Sequence, residues 1–186
     1  KTAASSGDGT RDGNVLSDIF TRVGAFSYER SFKTSCLLTT VDAHVEVSSD
    51  GVVLDNTWFW HADHDDCYSM SNQCFSANGL LVNGDDVTVY GLKSEHTMHD
   101  LVLWNGDGGS TYLYQSELPY ADGSFGSDGF VGYHVADSVT SHQAFGVGVY
   151  IIGGALWNVE AGIRAPAAVE MHNMLILVIA GSLEQF

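Results

Sequence analysis

Two glutamates, Glu95 and Glu117, stand 22 residues apart on successive short apolar segments. Between them lies a glycine-rich turn, with one tryptophan before it and two tyrosines after it. Aromatic rings stack on pyranose faces, and a desolvated carboxyl can hold a proton at neutral pH. This combination is typical of a cleft that binds a sugar and transfers a proton to it. The alternative is that both glutamates are solvated surface groups of ordinary strands.

Nine further side chains are candidates for contacting a sugar in such a cleft. Trp58 and Trp60 share one strand face by alternation, so they either pack between layers of the core or serve as sugar platforms. Tyr114 and Glu117 fall on opposite faces of a regular strand, so a break at Ser116 would be needed to bring both into one cleft. The candidates are Trp58, Trp60, Asp63, His64, Trp104, Tyr114, Gln115, Tyr120 and His142.

Histidines and carboxylates cluster in residues 61–66. Such spacing can hold zinc or calcium, but it also suits a polar edge whose side chains bond to neighbouring backbone. We favour the polar edge and expect no metal and no other cofactor. Near Glu95, we expect either His96 or His99 to hydrogen-bond a carboxylate and the other to lie on the surface.

The charge balance excludes several classes of partner. The net charge is −16, and only seven Lys and Arg occur among 186 residues. No basic patch can be assembled, which argues against nucleic acid and anionic membrane surfaces as partners. No apolar run reaches the length of a membrane span. The acidic surface suits a neutral ligand and a secreted protein. Since the chain begins at Lys1, we expect a processed product or a fragment that carries no signal peptide.

Three cysteines occur in the chain. Cys67 and Cys74 bracket one polar loop and could close it as a disulfide. Cys36 is then either a buried thiol or the partner of a segment outside this sequence. A zinc site is the weaker interpretation, because six residues between two cysteines is not a usual zinc-ligand spacing.

Short β-branched and aromatic runs recur along the chain, each closed by Gly, Asn or Asp, and helical periodicity is not sustained. The sequence therefore predicts an all-β protein, with residues 1–14 as an extended lead-in and residues 15–186 as one domain. Residues 52–60 and 87–96 look alike: each has a buried strand, a small polar corner and a second strand. Coils of about 20–25 residues with such corners predict a right-handed parallel β-helix of pectin-lyase-like type, a single-stranded solenoid.

This architecture makes two local predictions. Stacked coils would place Glu95 and Glu117 at neighbouring strand ends, about 4.8 Å apart. Residues 174–180 would form a buried strand at the edge of the last coil. A β-sandwich is the second choice, in which the Asn83-Gly84 and Asn105-Gly106 turns would close hairpins.

Several linked motifs resemble glycoside hydrolase family 55. They are NTWFWHADH at residues 56–64, residues 81–92 followed by Glu95-His96, the Trp104–Tyr120 stretch with its Tyr-x-Tyr-Gln-x-Glu core, and residues 132–148. An upstream segment at residues 15–24 is also similar, so the resemblance covers nearly the whole chain.

The resemblance implies a secreted, mostly exo-acting, inverting β-1,3-glucanase that acts on laminarin-type polymers. Family members consist of two parallel β-helices side by side, and this chain looks like the second, C-terminal one. By the same resemblance, Glu117 is the general acid and Glu95 its supporting carboxylate. A like charge nearby would then keep Glu117 protonated. The groups that hold the attacking water would come from a partner β-helix, either a second segment or a second chain.

The chain departs from the family at several positions. His61 replaces an arginine, Leu113 an aromatic residue, and Gln143 and Phe145 a glutamate and a tryptophan. These changes affect the expected substrate specificity but not the two glutamates. The main alternative is a non-catalytic, secreted protein that binds a wall polysaccharide or forms an extracellular filament on the same scaffold. A glycan lyase fits less well, because such lyases need Ca²⁺ and a basic residue against acidic sugars.

Overall fold

The computed structural model describes residues 13–24, 39–63, 74–120, 124–152, 158–180 and 182–184. Strands dominate these residues, and their one helix, α1, has four residues, Ser124–Ser127. The strands are β1 Val15–Ser17, β2 Phe20–Val23, β3 Thr39–Val47, β4 Val53–His61, β5 Cys74–Val82, β6 Thr88–Glu95, β7 Val102–Trp104, β8 Gly109–Glu117, β9 Tyr133–Val135, β10 His142–Ile152, β11 Asn158–Val159, β12 Ile163–Arg164, β13 Glu170–His172, β14 Leu175–Ala180 and β15 Ser182–Leu183.

The strands form three sheets that the chain visits in turn. The largest contains β1, β2, β4, β6, β8, β10, β13 and β14, the second contains β3, β5, β7, β9 and β12, and the third pairs β11 with β15. Every strand pairing among the described residues is parallel. Since successive partners lie one coil apart, the predicted all-β parallel β-helix is confirmed. The β-sandwich alternative is wrong, because it requires antiparallel hairpins.

Coil length is less uniform than the sequence suggested. Val89 pairs with Thr111, and the stretch between these two residues matches the predicted repeat. Leu54 pairs with Val89, and Thr111 pairs with Ala144, so both of these coils are much longer than predicted. The coil from Ala144 to its partner Met171 is slightly longer than predicted. The predicted length therefore holds for one of these coils, while the others carry longer connections around the same strand register.

A row of bends crosses the largest sheet. One residue in each successive coil has a positive φ between 52° and 71°. A residue with a positive φ bends the strand. The side chains before and after it therefore no longer alternate between inward and outward in one continuous series. Tyr112, before the bend, faces outward, whereas Tyr114, after it, is buried. The bend row comprises Asp18, Asn56, Gly91, Leu113, Gly146 and Asn173.

The turns that lead into β6, β8 and β10 stack on one another through aspartates. Asp50 Oδ1 accepts the backbone N–H of Asp85 at 2.9 Å, and Asp85 Oδ1 accepts that of Asp107 at 2.8 Å. Asp107 Oδ1 accepts the N–H groups of Thr140 at 2.7 Å and Ser141 at 3.0 Å. These aspartates, here called the turn ladder, replace the hairpin turns of the sandwich alternative.

Two glycines allow this close stacking. A Cβ on Gly106 would overlap the carbonyl oxygen of Gly84, and a Cβ on Gly84 would overlap that of Ser49. Because backbone atoms cannot move aside as a side chain can, any larger residue would push the coils apart.

The interior between the two large sheets is apolar, with Leu54, Phe59, Leu80, Leu92 and Trp104 among its fully buried side chains. β14 departs from the prediction that residues 174–180 form a buried strand. Leu175, Leu177 and Ile179 are 50%, 41% and 58% exposed, because the strand pairs with β10 on one side and with no further described strand on the other.

Some predictions fall on residues outside the described ranges. Cys74 is buried at the start of β5, but Cys36 and Cys67 lie outside those ranges, so the disulfide stays a prediction. Residues 1–12 of the predicted lead-in also lie outside them. Within the described part of the chain, no helix is long and apolar enough to cross a membrane.

Candidate functional site

The two glutamates lie side by side. β6 and β8 are paired in register with Glu95 opposite Glu117, which places their Cα atoms about 4.8 Å apart. Both side chains point outward, away from the core. Glu95 is only 8% exposed, whereas the Glu117 side chain is 33% exposed. The structure therefore brings together a buried carboxyl and an accessible one on the same face of the sheet.

Glu95, the buried member of the pair, holds a proton more readily than an ordinary carboxyl. Burial raises the pKa of Glu95, and the charge of Glu117 raises it further. A hydrogen bond from Trp58 Nε1, at 3.0 Å from Glu95 Oε2, and the charge of Lys93 act in the opposite direction. The family resemblance implies that Glu117 is the protonated member of the pair. The structure instead raises the pKa of Glu95, because Glu95 has lost more contact with water.

Asp63 is the third carboxylate of the site. Its Oδ1 accepts a hydrogen bond from Trp60 Nε1 at 3.1 Å, and its Oδ2 accepts one from the Tyr120 hydroxyl at 2.6 Å. The Asp63 side chain is 6% exposed. Burial raises the pKa of Tyr120, and its hydrogen bond to Asp63 raises it further. Tyr120 is thus a fixed donor, and Asp63 is oriented by two groups at once.

His96 lies between Asp63 and Glu117. Its Nδ1 is 3.6 Å from Asp63 Oδ1, and its Nε2 is 3.3 Å from Glu117 Oε2. The Tyr120 ring packs edge-on against the imidazole at 5.3 Å. Burial lowers the pKa of His96, while the two carboxylates oppose that shift. The sequence placed one histidine at a carboxylate without specifying which.

His99 is the other histidine of that prediction. It stacks on Phe130 at 4.4 Å and is half-buried, so it lies at the surface with part of its ring covered.

Trp58 and Trp60 lie on the outer face, beside the carboxylates. Their rings stack at 5.8 Å, and Phe20 packs 5.0 Å from Trp58. Cations lie over both indoles, with Lys93 Nζ 5.5 Å from the Trp58 ring and Arg22 Cζ 4.5 Å from that of Trp60. The indoles therefore form one wall of the site, and their N–H groups fix Glu95 and Asp63.

Sequence reasoning missed Phe20, which is 54% exposed and pairs in register with Trp58. Its signal was the upstream segment at residues 15–24, which carries the family resemblance but was not assigned to the site.

A groove of about 220 Å³ continues from Trp58 along the sheet. Gln115 points outward two residues before Glu117 and pairs in register with Lys93 at the edge of this groove. An aromatic wall with amide and charged groups at its rim suits a polar ring with hydroxyls. The groove is lined by Asp18, Ile19, Phe20, Asn56, Thr57, Trp58, Gly91 and Lys93.

Two predicted contact residues are buried in the core instead. Trp104 has no exposed surface, and its Nε1 donates to the carbonyl of Gly106 at 3.0 Å. Tyr114 is 1% exposed, and its hydroxyl donates to the carbonyl of Gly132 at 2.7 Å. Neither can touch a ligand on the outer face, so both support the coil from inside. No break occurs at Ser116, since β8 continues regularly through Glu117.

His142 belongs to a different part of the molecule. It pairs in register with Gly109, whereas Glu117 pairs with Tyr150. Eight strand residues separate these positions, which is roughly 26 Å. His142 is 4% exposed, and its Nε2 lies 2.9 Å from the Tyr133 hydroxyl. The expectation that His142 contacts the same ligand as Glu117 is therefore wrong.

The predicted polar edge at residues 61–66 is described only as far as Asp63, so His64 lies outside the described ranges. His61 faces inward, with its Nδ1 2.9 Å from Ser76 Oγ, and burial lowers its pKa to about 4. Across the described ranges, no group of three or more His, Cys, Asp or Glu is arranged to hold a metal ion.

The geometry is suited to donating a proton. Two neighbouring carboxyls that share protons beside an aromatic groove can protonate the leaving oxygen of a glycosidic bond. Because Glu95 and Glu117 lie on one face of one sheet, they would both approach a bound sugar from the same side. They do not flank it as an acid and base pair would.

Comparison with known proteins agrees with the parallel β-helix fold. Residues 1–117 match the model of the LAM55 pectate lyase-like domain. The chain is 29% identical over 186 residues to an exo-β-1,3-glucanase of Streptomyces sp. (strain SirexAA-E / ActE), a match that covers 95% of this chain and 29% of that protein. It is 26% identical over 122 residues to a glucan 1,3-β-glucosidase of Cochliobolus carbonum, a match that covers 58% of this chain and 16% of that protein.

Two solved structures are similar as well. The structure of sacteLam55A from Streptomyces sp. SirexAA-E superposes with a TM-score of 0.75 at 29% identity, over 90% of this chain and 30% of that one. A glutamate-to-alanine variant of the same protein in complex with glucose gives the same TM-score at 28% identity. The chain thus spans less than a third of the length of these relatives.

Proposed function

Because this chain belongs to the family of the LAM55 pectate lyase-like domain, we propose that it takes part in hydrolysing the β-1,3-glycosidic bonds of a laminarin-type glucan. The single observation that carries this proposal is the register pairing of Glu95 with Glu117 on the outer face of β6 and β8. The names of the curated relatives support the choice of a β-1,3-glucan.

In this proposal Glu117 is the general acid. Its side chain is the more accessible of the pair, so it can reach the leaving glycosidic oxygen. Glu95, which Trp58 orients through its indole N–H, shares protons with Glu117 and limits the negative charge of the pair. General acid catalysis of this kind contributes about 10²–10⁴-fold to a rate.

We further propose an inverting reaction that a second β-helix completes. An inverting glycosidase needs a carboxylate or polar groups on the opposite face of the sugar, with room for a water. Glu95, Glu117 and Asp63 all lie on one side of the groove, so the water-holding groups would come from another segment or another polypeptide. The threefold greater length of the structural relatives leaves room for such a segment.

A neutral polymer as substrate is consistent with the charge of the chain. With a net charge of −16 and seven basic residues, the chain would repel uronic acids and phosphates. The same acidic surface suits a secreted protein, so we also propose that the protein is secreted.

The test is an assay of reducing sugar released from laminarin by the purified chain and any polypeptide that purifies with it. Glu117→Gln is expected to lower turnover at least about 10²-fold and to keep the far-UV circular dichroism of the parent. Asp50→Asn is the matched control, because Asp50 lies in the turn ladder at the other end of the strands, and it should hydrolyse laminarin at the parent rate.

Two outcomes would contradict the proposal. Equal loss of turnover in both variants would show that Glu117 has no special role. Binding of laminarin without hydrolysis, in a sample whose native mass shows no second chain, would favour a non-catalytic glucan-binding protein on the same scaffold.

A further inference from the structure

Two rows of residues cross the largest sheet in register between the bend row and the strand ends. Glu117 therefore has a neighbour on each side in its row, with Glu95 toward the tryptophans and Tyr150 toward β14. The first row is Phe20, Trp58, Lys93, Gln115, Gly148 and Leu175. The second row is Arg22, Trp60, Glu95, Glu117, Tyr150 and Leu177.

Tyr150 differs from the other outward-facing aromatic residues of this sheet. It is half-buried, it has no ring neighbour within the described residues, and its hydroxyl makes no hydrogen bond there. A tyrosine with a free ring and a free hydroxyl can stack on a ligand and bind its polar groups. The outward residues that do stack on another ring are Phe20, Trp58, Trp60, Tyr90, Tyr112 and Phe145.

Gly148 leaves open space beside the Tyr150 ring. A Cβ added to Gly148 would meet only ordinary contacts, with the Tyr114 carbonyl oxygen at 3.5 Å and Tyr150 Cε2 at 3.8 Å. Glycine inside a strand weakens it, and usually marks a bulge, a tight bend, or the close approach of another backbone or a ligand. Gly148 has regular register on both sides and no positive φ. Since packing does not require this glycine, the approach of a ligand is the reason that remains.

Gln115 and Glu117 bound the same space from the neighbouring strand. They pair with Gly148 and Tyr150 respectively, so the four positions outline a rectangle of about 4.8 Å by 6.6 Å, comparable in size to one sugar ring. The Gln115 amide makes no hydrogen bond within the described part of the chain, and the Glu117 side chain is 33% exposed. A free aromatic ring with an amide and a carboxyl around it suits a pyranose and its hydroxyls. These four residues are here called the Tyr150 notch.

We propose that the Tyr150 notch binds one sugar unit of the glucan, on the leaving-group side of the bond that is cleaved. An acid that protonates the leaving oxygen must lie beside the leaving sugar, and Glu117 is the glutamate next to Tyr150. The groove beside Trp58 then holds the sugar unit on the other side of the bond. The identity of the sugar and its place in the reaction rest on the proposed function, whereas binding in the notch does not.

Binding is measured by ¹⁹F NMR of protein labelled with 3-fluorotyrosine. The ligand is laminaribiose with sulfur in place of the linkage oxygen, which prevents hydrolysis. Tyr150→Phe identifies the Tyr150 signal among the eight tyrosines. We expect the ligand to shift this signal saturably and to leave that of Tyr90 in place, since Tyr90 lies across the bend row and stacks on Tyr112. A Tyr150 signal that stays fixed throughout the titration, or that shifts no more than Tyr90, overturns the proposal.

Kinetics test the leaving-group assignment. Tyr150→Ala removes the ring, and Gly148→Leu fills the space beside it. Each should lower kcat/KM for laminaribiose by about two- to tenfold, the worth of one stacking contact. Neither should change kcat/KM for β-glucosyl fluoride, because fluoride is the leaving group and the notch stays empty. Tyr90→Ala is the matched control and should keep the parent values for both substrates.

An equal loss on both substrates would show a structural role and overturn the assignment. Gly148→Leu decides the matter if Tyr150→Ala does not fold, since the nearest backbone atom lies at an ordinary contact distance from the added Cβ.

Two further outcomes separate the notch from the proposed function. If the parent protein hydrolyses laminarin while the Tyr150 signal stays fixed, the notch is refuted and the proposed function stands. If the parent protein does not hydrolyse laminarin while the Tyr150 signal shifts, the proposed function fails and the notch stands as a sugar-binding site.

Discussion

The strands β6 and β8 carry a pair of stacked acids at each end. Asp85 and Asp107 lie in the turns before the two strands, and Glu95 and Glu117 lie where the strands finish. Both pairs have the same sequence spacing, and both are brought together by the stacking of one coil on the next. The pairs lie roughly 30 Å apart along the strands.

The two pairs have opposite electrostatics. Backbone N–H groups of Thr140 and Ser141 hold the pKa of Asp107 below its usual value. Burial and the facing carboxylate raise the pKa of Glu95. In the turn, each aspartate meets donors of the next coil and remains hydrated. In the site, each glutamate meets the other glutamate, with Trp58 as the donor to Glu95. Coil stacking alone therefore does not raise the pKa of a carboxyl, since burial and the supply of hydrogen-bond donors decide the direction of the shift.

The largest expected effect comes from separating the coils at the turn end. Gly106→Ala would force a Cβ into the carbonyl oxygen of Gly84. Overpacking against backbone should lower the free energy of unfolding by about 3 kcal/mol and Tm by about 6–12 °C, as measured by thermal and urea denaturation.

Gly148→Ala is the matched control. An added Cβ there meets ordinary contacts at 3.5 Å and 3.8 Å, so stability should change by less than about 1 kcal/mol. A Gly106→Ala protein as stable as this control would show that the turn does not hold the coils in register.

An intermediate effect on stability is expected from neutralising one acid of either pair. The sign of this effect should differ between the two ends of the strands. The raised pKa of Glu95 means that the folded state binds its proton more tightly, so stability falls as pH rises from 4.5 through the folded-state pKa. Glu95→Gln should therefore stabilise the protein by about 1 kcal/mol at pH 7, and the gain should vanish below pH 4.5.

Asp107→Asn should do the reverse. The lowered pKa of Asp107 contributes stability above pH 3.8 that is lost as pH falls through the folded-state pKa. This variant should have a slightly lower Tm at pH 7 and the parent Tm at strongly acidic pH. Melting curves from pH 3 to pH 8 measure both variants. If both variants change Tm in the same direction at neutral pH, the electrostatic difference between the two ends of the strands is refuted.

The smallest effect is expected between the two ends, at the bend row. Leu113 has a φ of 63° and is 69% exposed, while Gly91 and Gly146 occupy the matching positions of the adjacent coils. A leucine in this conformation costs about 1–2 kcal/mol, and asparagine enters it more readily. Leu113→Asn should raise Tm by about 2–4 °C in a melting experiment. A lower Tm would show that the exposed leucine makes a stabilising contact.

The sequence was sufficient to predict the coil architecture and the meeting of Glu95 with Glu117, because a spacing of one coil is visible in the chain. It was not sufficient for Tyr114. The bend at Leu113 interrupts the alternation, so Tyr112 and Tyr114 face opposite sides although only one residue separates them. A single positive φ at a leucine leaves no sign in the residue pattern.

The residue pattern likewise did not predict the position of His96. Its approach to Glu117 depends on a bend directly after β6 and on Asp63, which lies about one coil earlier in the chain. The prediction that His142 lies in the site was wrong for a different reason. The order of motifs in the chain does not show how far apart two residues lie along a strand. The prediction of a uniform coil length was wrong because longer connections between strands leave the strand register unchanged.

The independence of strand register from connection length has a practical consequence. The coil from Leu54 to Val89 is much longer than the coil from Val89 to Thr111, yet the strands that carry the glutamates keep their alignment. The scaffold is therefore modular: loops of different length could be grafted between coils while Glu95 and Glu117 keep their alignment.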